Sequence, residues 1–184
     1  MRISDNRYDG ERLRMELALR FLRHEARTQT IRAWTGLSDD RIRKLYRTYM
    51  SQVSRYLPRH RGKSPQQVGY FTRSQRSQHE TAVLASVLSL LGAVPAVPAA
   101  PDAAAGAPAL ARGEQLCQAF EAYRMLLPSS QITFEHAVFL ATALARGDQL
   151  RLGGCGGCGS LMVTERFTLR AQRCHHCARA LQPH

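Results

Sequence analysis

Apolar residues recur at helical spacing along most of the chain, and this pattern predicts a mainly α-helical protein. The first such segment covers about residues 10–26 and has two apolar stripes. One consists of Met15, Ala18, Leu19, Leu22 and Ala26, and the other of Leu13, Leu17 and Phe21. A helix with two stripes is either a central core helix or a helix whose second side is covered by a partner subunit.

Two shorter helices are predicted next, joined by a tight turn. The first covers about residues 30–35 and stops at Gly36, which can adopt the left-handed conformation. Ser38 is placed to cap the second, with Asp39 and Asp40 in its positively polarised first turn. Its core-facing residues follow helical spacing: Ile42, Leu45, Tyr46 and Tyr49.

The opposite side of this second helix is basic. It carries Arg43, Lys44 and Arg47, with Arg41 at its margin. A helix, a glycine turn and a capped helix with a basic face are typical of a helix-turn-helix, whose second helix enters the major groove of DNA. The alternative is an ordinary helical hairpin with a solvated basic face.

The middle of the chain alternates between irregular and helical segments. Residues 51–79 contain Pro, Gly and Ser breakers and are predicted to form a long basic loop, with Arg61, Lys63 and Arg73 among its cations. This loop is either an arm that contacts the DNA backbone or a segment that is disordered or contacts a partner. Helices are expected at about 81–91, from Leu116 to Leu127, and from Phe134 to Gly147. An Ala/Pro-rich linker occupies 93–109.

The strongest chemical signal is a pair of C-x-x-C motifs near the end of the chain. Cys155 and Cys158 are separated from Cys174 and Cys177 by fifteen residues, a spacing typical of a structural Zn²⁺ site with four thiolate ligands. The intervening residues predict a hairpin, with strands at 161–164 and 167–170. We expect the remaining Cys117 to be a small buried apolar residue and the adjacent His175 and His176 to face solvent or phosphate.

Two other uses of the cysteines are less favoured. Structural disulfides need an oxidising compartment, and a redox C-x-x-C needs a thioredoxin-like setting that the pattern does not predict. The chain has no apolar run of about 18 residues, and its first residues contain no apolar core of a secretory signal. We therefore expect a cytoplasmic metalloprotein that does not span a membrane. No combination of nucleophile and base predicts an enzyme.

Charge is unevenly distributed. Residues 1–79 contain 18 Lys/Arg and 7 Asp/Glu, residues 80–150 contain 3 and 6, and residues 151–184 contain 5 and 1. The two ends are therefore basic and the middle is slightly acidic. This distribution favours contact of both ends with a polyanion such as nucleic acid, although basic ends can also be merely solvated.

Several of these residues together resemble the FlhC family, the zinc-containing subunit of the bacterial flagellar master transcription activator. The resemblance is carried by Thr35-Gly36-Leu37-Ser38, Arg41-Ile42-Arg43-Lys44-Leu45-Tyr46, Arg61-Gly62-Lys63-Ser64-Pro65, Ala122-Tyr123-Arg124 and the two cysteine pairs, in that order. The chain departs from the family after Ser64-Pro65, in the Ala/Pro-rich insertion and in its short tail.

The resemblance implies a heterohexamer of four FlhD and two FlhC subunits that binds double-stranded promoter DNA and recruits RNA polymerase. It also implies one structural Zn²⁺ per chain, on Cys155, Cys158, Cys174 and Cys177. We expect DNA contacts from Arg41, Arg43, Lys44, Arg47, Arg61, Lys63, Arg73, Arg170 and Arg173. The alternatives are a regulator of non-flagellar genes, a thiol-redox or adaptor protein, and an RNA-binding zinc ribbon.

Taken together, the sequence predicts a mainly α fold: a helical domain with a helix-turn-helix, followed by a small ribbon-like zinc-binding region. Four segments are expected: 1–50 with the first helix and the helix-turn-helix, 51–79 as the basic loop, 80–150 as a helical body interrupted by the linker 93–109, and 151–184 as the cysteine region.

Overall fold

The computed structural model describes residues 3–52, 60, 62–94, 109–168 and 173–180. Its helices are α1 (Ile3–Arg23), α2 (Thr28–Thr35), α3 (Asp39–Gln52), α4 (Gln75–Leu90), α5 (Ala109–Leu126), α6 (Phe134–Arg146) and α7 (His175–Arg179), and its strands are β1 (Leu150–Gly154) and β2 (Leu161–Glu165). The prediction of a mainly α fold with a small C-terminal cysteine region is confirmed. None of the described helices is both long and apolar enough to cross a membrane.

Helix α1 begins at Ile3, earlier than the predicted start at about residue 10. Its first turns are polar and carry no apolar stripe, so the apolar pattern does not reveal them. Both predicted stripes are buried in its second half, where Leu17 and Phe21 from one stripe and Ala18 from the other are fully inaccessible. Leu13 and Met15 remain 47% and 38% exposed. The C-terminal half of α1 is therefore a central core helix, and its earlier turns have apolar residues at the surface.

Helices α1, α5 and α6 pack around an aromatic core. The ring of Phe134 lies 4.9 Å from that of Phe21 and 5.3 Å from that of Phe120, both in edge-to-face geometry. Such pairs stabilise a core beyond the effect of their buried area. The Leu17 side chain of α1 packs directly on Gly113 of α5, where an added Cβ would lie 2.6 Å from a methyl carbon of Leu17.

Helices α2 and α3 are joined by the short turn that the sequence predicts. Gly36 has φ +70°, and its N–H donates to the carbonyl of Arg32 over 2.9 Å. The Ser38 hydroxyl oxygen accepts from the N–H of Arg41 over 3.4 Å, which supports the predicted cap. Ile42 is 1% exposed and holds α3 against the core.

Helix α4 begins at Gln75, six residues before the predicted start at Thr81. The first turn is polar and carries no apolar stripe, so periodicity could not locate it. Ser74 provides the start, because its hydroxyl accepts from the N–H of Ser77 over 3.1 Å. The prediction of a loop through residue 79 is therefore wrong at its C-terminal end. Most of the predicted loop between 53 and 61, and linker residues 95–108, lie outside the described residues.

Helix α6 follows the sequence prediction closely, whereas α5 begins at Ala109, the last residue of the predicted linker and seven residues before the predicted start at Leu116. Gly147 ends α6 with φ +64°. At its start, Thr133 and His136 form a reciprocal capping box, in which each side chain accepts from the other residue's backbone N–H. Cys117 is fully buried within α5, as expected, and burial raises the pKa of its thiol to about 12.

The C-terminal hairpin has a different strand pairing from the predicted one. β2 covers the predicted 161–164, but it pairs with β1, which precedes the first cysteine pair; Leu152 lies opposite Val163. Phe167, assigned to the second predicted strand, lies in the turn after β2 and is 82% exposed. Residues 169–170 of that strand are outside the described part of the chain. The prediction failed because the short strand signal of Leu150 and Leu152 precedes the first cysteine pair, whereas the predicted hairpin was confined to the residues between the pairs.

Candidate metal centre and basic surface

Two local structures bring the four predicted cysteines together. Cys155 and Cys158 lie in the connection between β1 and β2, where the N–H of Cys155 donates to the carbonyl of Ser160 over 2.9 Å. Cys174 caps α7, and Cys177 lies one turn later on the same helix. The first cysteine pair therefore lies in a connection between two strands and the second pair at the start of a helix, whereas the sequence predicted a hairpin between the two pairs.

The four sulfur atoms have the spacing of a metal site. All four Sγ atoms lie within 4.8 Å of one another, and those of Cys158 and Cys174 are 3.6 Å apart. Four sulfurs arranged tetrahedrally about 2.3 Å from a zinc ion would be about 3.8 Å from one another. The side chains present therefore fit a four-coordinate metal ion.

Hydrogen bonds prepare two of these sulfurs to be thiolates. The N–H groups of Cys174 and Gly157 donate to Sγ of Cys155 over 3.1 and 3.3 Å, and such backbone donors lower the pKa of the Cys155 thiol to about 5. The Ser160 hydroxyl lies 2.7 Å from Sγ of Cys158 and lowers its pKa. Hydrogen bonds to the neighbouring sulfurs, of which the one to Cys158 contributes most, raise the pKa of the Cys177 thiol to about 12. Thiolates on the other cysteines favour a proton on Cys177. A cation would replace that proton.

Glycines serve the centre in two distinct ways. Gly159 has φ +73°, a left-handed conformation that glycine adopts at little steric cost. Gly157 is required for space instead, since an added Cβ would lie 3.1 Å from Sγ of Cys177 and 3.2 Å from its Cβ. By contrast, a Cβ at Gly153 would meet nothing closer than 3.9 Å.

Sequence reasoning missed Ser160 as part of this centre. The available signal was its position directly after Cys158-Gly159, where a hydroxyl can reach back to the preceding sulfur. His176 is exposed, as expected, while the side chain of His175 is outside the described atoms. Arg173 is exposed immediately before Cys174, and Arg170 lies outside the described residues.

The predicted basic face is present on α3. Arg43, Lys44 and Arg47 are all exposed. Arg43 pairs with Asp40 over 2.9 Å, and Arg41 pairs with Glu11 of α1, so both of these cations are partly neutralised inside the protein. Lys44 and Arg47 therefore offer the least compensated charge on this face.

The remaining predicted DNA contacts lie in other segments. Lys63 is exposed, Arg73 lies 4.8 Å above the ring of Tyr70, and Arg61 is outside the described residues. Residues 41–79 contain ten Lys/Arg and no Asp or Glu. Helix α3 packs against α1 and α2, while α7 packs against α4, so the basic face and the cysteine centre are attached to different helices.

Comparison with family models and with curated proteins finds no match to the chain. The similarity to the FlhC family therefore rests on the residues quoted above. Among these, the structure describes the turn at Gly36 and Ser38, the basic face of α3 and the four-sulfur cluster. These three features provide the basis for a functional proposal.

Proposed function

We propose that the chain is a DNA-binding subunit of a transcription activator, acting with FlhD to switch on flagellar genes through RNA polymerase. The observation that carries this proposal is the exposed row of Arg43, Lys44 and Arg47 on α3, which follows a capped turn and opens a long acid-free stretch. A polyanion is the partner that such a surface favours.

The chemistry of α3 suits duplex DNA. Arginine can donate two hydrogen bonds to O6 and N7 of guanine, while lysine mostly neutralises phosphate. Leu37 in the turn is 4% exposed and Ile42 is 1% exposed, so the helix is anchored on its inner side and presents its cations on the outer side. A rigid helix with this arrangement is a suitable reader of the major groove.

The cysteine centre would have a structural role. Zn²⁺ is the ion we assign to it, because zinc in proteins favours four tetrahedral thiolates. Cys155, Cys158, Cys174 and Cys177 would hold it and leave no coordination position for water or substrate. The exposed Arg173 beside the centre would then be fixed in position as a second contact to DNA.

The FlhD contact is assigned to the first half of α1, where no residue from Tyr8 to Glu16 is buried. Tyr8 and Met15, which share one side of the helix, are 73% and 38% exposed, and Leu13 on the opposite side is 47% exposed. Exposed apolar residues on two sides of one helical segment are suited to a partner subunit. In the family arrangement that the chain resembles, four FlhD and two FlhC subunits would form the active assembly.

Binding to promoter duplexes tests the proposal. The full chain, co-purified with FlhD, should bind flagellar promoter fragments, and the double variant Lys44→Ala/Arg47→Ala should bind more weakly. Its plot of log affinity against log salt should flatten by about 0.9 for each lost phosphate contact. The matched control is Arg124→Ala/Arg146→Ala, which removes two exposed cations from α5 and α6.

Equal salt slopes for the two double variants would place the DNA contacts elsewhere. Failure of the folded complex to bind any duplex would overturn the proposal. Mapping the bound promoters would separate flagellar from non-flagellar regulation, and preference for RNA over duplex DNA would favour the zinc-ribbon alternative.

A further inference from the structure

Phe167 is exposed at the tip of a tight turn that follows β2. The N–H of Thr168 donates to the carbonyl of Glu165 over 3.1 Å, so Arg166 and Phe167 are the two central residues of the turn. The Phe167 ring is 82% exposed, and a partner can therefore reach it. The other five phenylalanines are buried or half-buried in the helical body: Phe21, Phe71, Phe120, Phe134 and Phe139.

Hydrogen bonds from the surrounding residues fix this turn. Nη2 of Arg151 donates to the carbonyl of Thr168 over 3.0 Å, and Nη1 of Arg166 donates to the carbonyl of Gly147 over 3.0 Å. The N–H of Arg166 also donates to the carbonyl of Gln149 over 2.9 Å. A ring on a turn that is already held in place loses little further conformational entropy when a partner buries it.

The same contacts place positive charge beside the ring. Arg151 and Arg166 are exposed, and a hydrogen bond to a carbonyl oxygen leaves the charge of each guanidinium in place. The guanidinium carbon of Arg166 lies 5.9 Å from the centre of the Phe167 ring. One apolar ring and two cations are therefore presented together at the surface.

The turn also contacts the basic segment of residues 41–79. The Thr72 hydroxyl donates to the Glu165 carboxylate over 3.3 Å, and Arg73 is exposed next to Thr72. That segment contains ten Lys/Arg and no Asp or Glu, and Glu165 is the only acidic residue in 151–184. The turn therefore lies where two basic parts of the chain come into contact.

The combination of ring and charge indicates the kind of partner. A lone apolar side chain at a protein surface is common and needs no explanation by itself. Here the ring is held on a fixed turn with an exposed guanidinium directly beside it. Nucleic acid offers both matching features, because its phosphates attract the cations and its stacked bases are flat apolar surfaces.

The presence of a single ring favours duplex DNA over a single strand. Proteins that bind single strands stack successive bases on several aromatic side chains. Residues 151–184 contain no phenylalanine, tyrosine or tryptophan besides Phe167, so this region cannot stack a row of bases. One apolar ring beside cations is suited instead to entering a single step between base pairs, as apolar wedges in the minor groove do.

We propose that Phe167 inserts between two adjacent base pairs of the bound duplex and kinks it. Arg151 and Arg166 contact the phosphates beside the opened step. This inference rests on the proposed DNA-binding function and adds a contact that senses how easily the duplex deforms. Pyrimidine–purine steps such as TA are the most easily kinked, so such a step is expected at the position of the ring.

A bending measurement on the complex with FlhD tests this inference. A flagellar promoter fragment carries a donor dye at one end and an acceptor dye at the other, so bending raises the energy transfer between them. The wild-type complex should bend the duplex by at least about 20° more than the Phe167→Ala complex does. The variant should also bind at least about fivefold more weakly, because a contact between a ring and a base is lost.

Two further variants and the salt dependence isolate the role of the ring. Phe167→Leu keeps an apolar wedge and should bend the duplex nearly as strongly as the wild type. Leu90→Ala is the matched control, because it removes an apolar side chain that is 83% exposed at the opposite end of α4 from Thr72. It should change neither bending nor affinity. Phe167→Ala should leave the plot of log affinity against log salt with the same slope, because no phosphate contact is lost.

The outcomes separate this inference from the function on which it rests. Equal bending and affinity for the wild-type and Phe167→Ala complexes would overturn the inference and leave the DNA-binding function standing. A flattened salt slope, or a Phe167→Ala chain that folds but no longer assembles with FlhD, would assign the ring another role and would also overturn it. Failure of the folded wild-type complex to bind any duplex would overturn both.

Discussion

The helical body and the cysteine region are stabilised by different means. In the body, large side chains from α1, α5 and α6, including Phe21, Phe134 and Tyr123, are almost completely inaccessible. In the cysteine region, Leu150 and Val163 join the main core, but Met162 and Cys155 are buried outside it. Burial of apolar surface stabilises the first region, whereas the second needs its four sulfurs to be held together.

The largest expected effect comes from removing one of these sulfurs. Cys158→Ser should abolish stoichiometric metal binding, because three thiolates and a hydroxyl are a much weaker site for zinc. The tail from α7 onward should then become sensitive to proteases, since binding of a structural metal and local folding are coupled. Metal analysis and limited proteolysis measure the two effects, and helical circular dichroism should change little.

Cys117→Ala is the matched control for this experiment, because it removes a thiol from the buried face of α5. It should retain one metal ion per chain. A Cys158→Ser protein with full metal content and an unchanged proteolysis pattern would show that the four sulfurs do not stabilise the cysteine region, and would contradict the difference drawn between it and the helical body. A purified wild-type chain without metal but with reversible thiol chemistry would favour the thiol-redox alternative.

Truncation of the aromatic core should have the next largest effect, and it should be confined to the body. Phe134→Ala should lower the free energy of unfolding by about 3–5 kcal/mol, because its ring contacts those of Phe21 and Phe120 and leaves a cavity when removed. Metal content should remain stoichiometric. The control Phe167→Ala removes a ring that is 82% exposed and should change stability by less than about 0.5 kcal/mol. Chemical denaturation compares them, and similar losses would contradict the assignment of the core.

The sequence predicted the helical body well because its signals are local. Gly36 and Gly147 both adopt the left-handed conformation at the predicted helix ends, and Ile42 is buried as its spacing requires. The start of α4 was missed because its first turn, residues 75–78, is polar and buries no apolar side chain. Hydrophobic periodicity carries no information about such a turn.

The candidate site was predictable in composition but not in geometry. The spacing of the cysteines identified the four ligands, which the structure brings together. The pairing of β1 with β2 depends on Leu150, which lies before the motif and is buried by the body. The contact of Gly157 with Cys177 joins residues twenty positions apart, so neither feature could be derived from the local sequence.

A smaller expected effect distinguishes the close packing at Gly157 from general glycine flexibility. Gly157→Ala places a methyl group against Sγ and Cβ of Cys177 and should weaken metal affinity by about 10- to 100-fold, as displacement of supporting groups does at metal sites. Gly153→Ala, whose added Cβ meets only the Thr164 hydroxyl oxygen at 3.9 Å, is the matched control. Competition with a chromophoric chelator measures both affinities. Equal affinities for the two variants would contradict the packing explanation.

The smallest effect is a pH dependence that belongs to the body alone. Burial lowers the pKa of His24 below its usual 6.5, against the hydrogen bond that His24 donates to Glu121, which raises it. Below about pH 6.5 the unfolded chain therefore binds a proton that folded His24 resists, so the free energy of unfolding should fall as the pH is lowered toward 5. His24→Gln should remove this contribution to the fall. Chemical denaturation at pH 7 and pH 5 measures it, and an equal fall in both proteins would show that His24 does not cause the pH dependence.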